Sequence, residues 1–267
     1  MVTLSIIAAA CFMVVLGGLL ATVLAIANRK LHVHEDPRID DVEDMLPHAN
    51  CGACGMPGCR SFAEAVVKGE LAPSKCSVNS PEGNQSIAGF LGVAMGEEVK
   101  KVARLACAGG SHVAKMRARY DGMSSCRAAS VAGGGKACAW GCLGLGDCER
   151  ACGFNAIHMN EVGLPVVSES ACVACNDCVE VCPLDLFSLQ PISHKLWVAC
   201  KSLAEGDKAL QDCEVACTGC ARCATDAPEG LIKIVNNLSV VDYSKNALAS
   251  RIAIERCPTG AIVWLEG

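Results

Sequence analysis

The sequence is poor in aromatic residues and lacks the motifs of several enzyme classes. Phe, Tyr and Trp together make up 4% of its 267 residues. It contains no paired catalytic carboxylates, no nucleophile beside a base and no dinucleotide-binding fingerprint. Its formal charge is −5 and no basic patch is evident from the sequence alone, which argues against a nucleic-acid partner. We therefore expect no organic substrate site on this chain.

Cysteine, in contrast, is abundant, with 21 residues. In a short secreted chain this content would indicate a disulfide scaffold, which requires an oxidising compartment. This chain is long, and its cysteines fall in closely spaced runs. Bound clusters would also explain how a core with few aromatic side chains is held together. The composition therefore favours a reducing compartment and metal-binding cysteines.

The central motif is Cys172-Val-Ala-Cys175-Asn-Asp-Cys178-Val-Glu-Val-Cys182-Pro183. Its cysteines are separated by two, two and three residues and are followed by proline, as in bacterial ferredoxins. In such a run three thiolates bind one [4Fe–4S] cluster, and the fourth binds a neighbouring cluster. Zinc, the alternative, usually takes two well-separated cysteine pairs.

A partner run lies upstream, but Leu145 occupies its second ligand position and cannot bind iron. Cys138 is the nearest substitute, and Cys126 and Cys107 remain alternatives. The sequence thus assigns two clusters to one compact unit. One cluster takes Cys138, Cys142, Cys148 and Cys182, and the other takes Cys152, Cys172, Cys175 and Cys178.

An earlier cysteine motif is rich in glycine, which lets the backbone wrap closely around a cluster. A helix over residues 60–68 follows it, and Pro73 then turns the chain so that a fourth thiolate can join. Zinc is again the alternative. The motif supplies Cys51, Cys54, Cys59 and Cys76.

The N-terminal stretch 2–27 is almost wholly apolar and long enough for a transmembrane helix. Arg29 and Lys30 follow it, so the positive-inside rule places the C-terminal side in the cytoplasm and the short N-terminus outside. A cleaved signal peptide is the rival, but no basic region precedes the apolar run. Cys11 lies within this helix, and we do not expect it to be a ligand. His32, His34 and His48, in the polar linker that follows, receive no role.

The C-terminal part repeats the cysteine spacing of the central unit, which indicates two copies of one module. The second copy is degenerate, because Ala227-Pro228 stands where cysteine-proline would end the run. Residues 231–235 and 238–242 are expected to form a hairpin around Asn236-Asn237. One complete ligand set survives, namely Cys217, Cys220, Cys223 and Cys257.

Four cysteines remain unassigned, and they are distributed over both modules. We expect them to hold a fifth cluster that bridges the modules; the alternative is that some are buried structural thiols. They are Cys107, Cys126, Cys200 and Cys213.

Together these patterns predict an α+β chain with an anchor, a small iron–sulfur domain and two ferredoxin-like modules. Strands are expected at 99–106, 156–159, 164–167, 184–192 and 195–199, and a weak helix at 85–95 after a loop at 80–83. The predicted regions are an anchor (1–28), a linker (29–48), a four-cysteine domain (49–80), a connecting region (81–135), a two-cluster module (136–192) and a degenerate module (193–267).

The ordered set of motifs resembles the B subunit of the Rnf complex, in its longer form. The resemblance rests on the apolar anchor, on Cys51-Gly-Ala-Cys54-Gly-Met-Pro-Gly-Cys59, on Gly141-Cys142-Leu-Gly-Leu-Gly-Asp-Cys148 and on the run ending at Pro183. It covers essentially the whole chain. The C-terminal module departs from the fullest members, because the ligands of one cluster are gone.

This resemblance implies a component of a membrane-bound ferredoxin:NAD oxidoreductase that pumps sodium ions or protons. The chain would relay electrons from reduced ferredoxin to the membrane subunits, with the A, C, D, E and G subunits as partners and no turnover site of its own. A polyferredoxin of another membrane complex, such as a hydrogenase, is the nearest alternative. A cysteine-rich zinc-binding interaction module is the alternative from a different class.

Overall fold

A long apolar helix, α1 (Val2–Leu31), begins the chain. The computed structural model describes residues 2–31 and 35–266, so His32 and His34 lie outside the described residues. The stretch Ala10–Lys30 has a mean hydropathy of 2.5 and none of it is buried, with Val14 and Leu24 well exposed. This helix is therefore long and apolar enough to cross a membrane.

The next unit is a small helical domain with its own core. Phe62, Val66 and Ile87 are almost fully buried in it, together with Val42 from the stretch predicted to be a polar linker. That stretch is helical because Ile39 and Val42 cover one face of the domain, and Arg60 forms ion pairs with Asp40 and Glu43. The helices are α2 (Arg38–Asp44), α3 (Cys59–Val67), a 3₁₀ turn (Pro73–Lys75) and α4 (Pro81–Leu91).

The predicted loop at 80–83 is wrong, because helix α4 already begins at Pro81. Ser80 is its N-cap, and the Ser80 side chain accepts a hydrogen bond of 3.0 Å from the Gly83 amide. Proline is favoured in the first turn of a helix, and serine is a preferred N-cap. The expected helix over 60–68 is confirmed as α3.

The first β unit consists of two antiparallel strand pairs with short helices between them. Its outer pair joins the first strand to the last, with Leu105 opposite Phe187. The first strand lies in the region that the sequence assigned to a connection, and it is needed to complete this unit. The elements are β1 (Lys101–Leu105), α5 (Cys126–Val131), α6 (Asp147–Ala151), β2 (Ile157–Met159), β3 (Pro165–Val167), α7 (Asp177–Val181) and β4 (Phe187–Pro191).

The second β unit has the same topology, with an outer pair that joins its first and last strands and an inner hairpin. Asn236 and Asn237 turn the hairpin with φ of +48° and +64°, which confirms that prediction. The elements are β5 (Leu196–Val198), α8 (Gly206–Asp212), α9 (Arg222–Asp226), β6 (Ile232–Val235), β7 (Leu238–Val241), a 3₁₀ segment (Tyr243–Leu248), α10 (Ile252–Glu255) and β8 (Ile262–Trp264).

Backbone and aromatic contacts join the two β units. The Trp197 indole donates a hydrogen bond of 2.8 Å to the Leu105 carbonyl, and the Ala108 amide donates one of 2.9 Å to the Ala199 carbonyl. His194 and Tyr243 stack with ring centroids 4.3 Å apart. These contacts hold the two β units together, and cysteine loops lie between the short strands of each unit.

Phe62→Ala should lower the stability of the helical domain by about 3–5 kcal/mol, because it leaves a cavity in a fully buried position. The control is Phe90→Ala on α4, where the ring is 45% exposed and its removal should cost about 1 kcal/mol or less. Urea unfolding of the full chain, followed by circular dichroism, would measure both. Equal losses for the two variants would contradict the core described above.

Candidate metal centres

Four cysteines of the helical domain, called set 1, line one open cavity. The set consists of Cys51, Cys54, Cys59 and Cys76, around a cavity of about 330 Å³ including its solvent-open part. Gly52 and Gly55 have φ of +71° and +85°, a conformation that favours glycine. Asn50 accepts a hydrogen bond of 2.8 Å from the Cys59 amide, which ties the loop to the start of α3. The four thiols predicted from this motif are thus brought together.

Set 2 lies in the first β unit and also matches the predicted grouping. The Cys178 thiol is buried and interacts electrostatically with its three partners. The Ala103 amide donates a hydrogen bond of 3.5 Å to the Cys172 sulfur, and the Ala156 amide donates one of 3.3 Å to the Cys152 sulfur. The set consists of Cys152, Cys172, Cys175 and Cys178.

Set 3 differs from the predicted grouping by one cysteine. Cys126, Cys142, Cys148 and Cys182 line a cavity of about 380 Å³, and Cys138 is not among its lining residues. Cys126 therefore occupies the place in this cavity that the sequence analysis gave to Cys138.

Asp147 explains why Cys126 reaches this cavity. Its carboxylate accepts hydrogen bonds from the Ser125 hydroxyl (3.0 Å) and the Arg127 amide (3.3 Å), which flank Cys126 at the start of α5. Burial alone would raise the pKa of Asp147, but these bonds and one from Arg150 lower it. An ionised Asp147 thus holds α5 against α6.

Set 4 draws two cysteines from each β unit. Cys107, Cys138, Cys200 and Cys213 line a cavity of about 350 Å³, so Cys138 takes the place that the sequence analysis gave to Cys126. A β-bridge between Ala114 and Cys213 joins the units here. Trp140 and Gly141 line the same cavity. The segment after Cys138 therefore faces the second unit, which separates this cysteine from set 3.

A buried lysine lines the set 4 cavity and was missed by sequence reasoning. Lys136 is 7% exposed, and its ammonium group donates a hydrogen bond to the Gly109 carbonyl. Burial raises the pKa of Cys213, and the positive charge of Lys136 opposes this rise. No local signal marks this lysine, because its burial depends on contacts between distant segments.

Set 5 matches its prediction. Cys217, Cys220, Cys223 and Cys257 line a cavity of about 340 Å³ in the second β unit. The Ser239 hydroxyl lies 2.9 Å from the Cys223 sulfur. Cys220 is exposed, while the other three thiols are buried or half-buried.

Three of the cysteine loops share one backbone conformation. The second and fourth residues after the first cysteine have positive φ in each loop. Leu145 is the third residue after the first cysteine of one such loop, where the other two loops have Cys175 and Cys220, so the loop has the same shape without that cysteine. The residues with positive φ are Ala174 and Asn176, Gly219 and Ala221, and Gly144 and Gly146.

The sets form a row through the chain, linked by contacts between neighbouring members. The Ser77 hydroxyl donates a hydrogen bond of 2.7 Å to the Val173 carbonyl, which joins the residues after Cys76 of set 1 and Cys172 of set 2. Cys148 of set 3 interacts electrostatically with Cys178 of set 2.

The row continues through set 4. The Cys142 amide of set 3 donates a hydrogen bond of 3.4 Å to the Cys107 sulfur of set 4. The Cys217 amide of set 5 donates one of 3.3 Å to the Cys200 sulfur of set 4. Sets 1 to 5 are therefore adjacent in this order.

The donor atoms and cavities fit iron–sulfur clusters. Within the described part of the chain, no three His, Cys, Asp or Glu side chains are arranged to hold a single metal ion. The cavities of sets 1, 3, 4 and 5 each have four cysteine thiols in their lining, around a space that is partly open to solvent. Backbone amides point at several sulfurs, as in cluster sites where such bonds tune the potential.

Burial favours the protonated form of several of these thiols in the metal-free chain. It raises the pKa of Cys142 to about 11 and that of Cys178 to about 12, with neighbouring thiols adding to the effect. Since iron binds the thiolate, cluster insertion must displace protons from these sites.

Comparison with known protein families also indicates an iron–sulfur protein. A family model described as "Putative Fe-S cluster" matches residues 46–78, which contain set 1. The fold and the cysteine sets define an iron–sulfur electron-transfer protein.

The relatives define the family more narrowly. The chain is 37% identical to the B subunit of the Na⁺-translocating ferredoxin:NAD⁺ oxidoreductase complex of Acetobacterium woodii, over 93% of this chain and 74% of that protein. It is 35% identical to the B subunit of the ion-translocating oxidoreductase complex of Methanosarcina acetivorans, over 92% of this chain and 94% of that protein.

A third relative is the B subunit of the proton-translocating ferredoxin:NAD⁺ oxidoreductase complex of Clostridium ljungdahlii, with 36% identity over 94% of this chain and 89% of that protein. The chain belongs to this family, the B subunits of Rnf ion-translocating oxidoreductase complexes. The predicted family is thereby confirmed, and it favours a component of an oxidoreductase over a zinc-binding module.

Alkylation of the metal-free chain should distinguish two half-buried thiols. Burial, together with the Asp177 carboxylate, raises the pKa of Cys175 to about 11. Burial also opposes ionisation of Cys257, but amide hydrogen bonds from Ile262 and Thr259 outweigh it and lower the pKa of this thiol. At pH 8 Cys257 should therefore be more ionised and react about tenfold faster with iodoacetamide, after allowing for the weaker nucleophilicity of a low-pKa thiolate. Mass spectrometry of the labelled peptides measures both rates, and equal rates would contradict these environments.

Proposed function

We propose that this chain carries five [4Fe–4S] clusters, one on each cysteine set, and relays electrons within an Rnf-type complex. The observation that carries the proposal is the row of five cysteine sets linked by hydrogen bonds and thiol contacts. Each set has four thiols, the ligand number of a [4Fe–4S] cluster. When bound, each cluster would accept and release one electron.

The chain's own residues would hold the clusters and set their environment. The amides of Ala103, Ala156 and Leu186 donate to cysteine sulfurs of sets 2 and 3 and would stabilise negative charge there. Apolar side chains such as Phe187 and Leu186 line the set 3 cavity and reduce access of water. The lining of set 4 differs from that of set 3, because the Lys136 side chain is part of it.

Helix α1 would anchor the chain in the cytoplasmic membrane in a single pass. Its exposed apolar surface and the Arg29-Lys30 pair at its C-terminal end support an outside N-terminus and cytoplasmic cysteine sets. Set 1 begins at Cys51, only a short distance in sequence after this helix. It would therefore lie nearest the membrane and deliver electrons to the membrane subunits.

The donor would be reduced ferredoxin, which the names of two relatives include. The partners would be the A, C, D, E and G subunits of the complex, which would couple electron transfer to sodium or proton transport. Electrons would enter at the β units and leave through set 1. The position of set 1 at one end of the row, close in sequence to helix α1, supports this direction.

Iron and acid-labile sulfide should reach about 20 atoms each per chain purified without oxygen, with little zinc. About 16 irons would leave set 4 as structural thiols, and abundant zinc with little sulfide would contradict the electron-transfer role.

Double variants would test the membership of sets 3 and 4. Cys126→Ala combined with Cys182→Ala removes two ligands from set 3 and should cost about four irons. Cys138→Ala combined with Cys182→Ala removes one ligand from each of two sets and should cost about eight. The reverse result would restore Cys138 to set 3.

In the assembled complex, Cys54→Ala should distinguish the entry of electrons into the chain from their exit through set 1. Reduced ferredoxin should still bleach the visible absorption of sets 2 to 5, while NAD⁺ reduction through the complex falls to background. Cys11→Ala is the matched control, because this exposed cysteine on α1 belongs to no set. Unimpaired onward transfer in Cys54→Ala would contradict set 1 as the exit.

A further inference from the structure

An open groove on the first β unit belongs to none of the five cysteine sets. It has a volume of about 950 Å³, including its solvent-open part, and the segment 116–120 forms one of its walls. Ala129, Leu143 and Leu145 are among the apolar residues that line it. We call it the 116–120 groove.

The groove is basic although the chain as a whole is acidic. Arg117 and Arg119 line the groove and are exposed, and within residues 2–31 and 35–266 neither forms an ion pair, although the Arg117 side chain donates a hydrogen bond of 3.2 Å to the Lys136 carbonyl. Lys115, which directly precedes the groove wall in the chain, is exposed as well. Asp121 is the acidic residue that directly follows this segment. Met116 adds an exposed apolar side chain, 57% accessible, and Tyr120 a half-buried ring. A positive rim around apolar and aromatic side chains is typical of a protein-binding surface.

The groove adjoins two of the cysteine cavities. Leu143 lines both the groove and the cavity of set 3, and Lys136 lines both the groove and the cavity of set 4. A protein seated here would therefore be separated from either cavity by a single residue. An electron carrier needs such closeness, whereas a purely structural partner does not.

The groove is preformed by backbone hydrogen bonds. The Gly135 carbonyl accepts bonds from the Arg117 amide (2.8 Å) and the Ala118 amide (3.2 Å), and Met116 forms a β-bridge with Lys136. A Cβ atom at position 135 would lie 2.6 Å from the Ala118 carbonyl oxygen, so the close approach requires glycine. Gly135 thus fixes the wall that carries the basic residues.

We infer that the 116–120 groove is the docking site of an acidic one-electron carrier protein of the ferredoxin class. The inference rests on the proposed function and adds the place and chemistry of entry. Opposite charges on the two proteins would speed their encounter and set their orientation. The attraction would weaken as salt rises, because the Debye length is about 10 Å at 0.1 M ionic strength.

The test measures the binding of an acidic bacterial ferredoxin to the full chain with its clusters, without oxygen and at low salt. Arg117→Glu combined with Arg119→Glu should raise Kd at least about tenfold and slow reduction of the chain by the same ferredoxin. The salt dependence of Kd should shrink as well. The matched control is Lys233→Glu on β6, an exposed lysine in the second β unit, which should leave Kd and iron content unchanged.

The comparison variant is Arg222→Glu, which lies beside the exposed Cys220 of set 5 and tests entry at that end of the row. A large effect there, with none from the double variant, would overturn the groove as the docking site but leave the relay intact. If the unmodified chain neither binds nor accepts electrons from ferredoxin, the proposed function fails and the inference fails with it. Equal iron content in all variants excludes misfolding as the cause.

Discussion

Each of the five cysteine sets brings four thiols close together, and the short strands and helices of the structure are arranged around these sets. The strands are only three to five residues long and the helices of the β units four to seven. Between them run loops whose shape depends on left-handed residues such as Ala174 and Ala221. The cysteines are themselves core residues, since Cys148, Cys178 and Cys223 are buried among apolar neighbours. Because the chain has few aromatic side chains, its cysteine side chains form part of the buried cores beside the apolar residues.

The same burial works against ionisation of the thiols. Desolvation raises the pKa of Cys148 and Cys178 to about 12, so these sites disfavour bare thiolates. Backbone amides that donate hydrogen bonds to a cysteine sulfur reduce the free-energy cost of ionising the thiol, as they do at Cys257. The sites are thus suited to shared negative charge on a large group more than to free reactive thiols.

Local patterns predicted the elements and sets that depend on nearby residues. Sets 1, 2 and 5 and the hairpin at Asn236-Asn237 follow from spacing and turn chemistry within short segments. The sequence analysis placed Cys126 and Cys138 in each other's sets. Their positions depend on Asp147 and on the interface between the two β units, and the spacing of the cysteines in the sequence does not encode these contacts. Pairing of β1 with β4 and the burial of Val42 likewise arise from long-range packing. The loop around Leu145 has the same backbone conformation as the loops that carry Cys175 and Cys220 at that position, which explains why the motif is recognisable without a cysteine there.

Set 4 takes Cys107 and Cys138 from one β unit and Cys200 and Cys213 from the other. During synthesis the first unit is complete at the end of β4, yet this set still lacks half of its thiols. Helix α8 and the cysteine after it must leave the ribosome before the site can close. The contacts between the two β units and the complete set 4 would then form in the same step of folding, so the first β unit depends on the second for two of the four thiols.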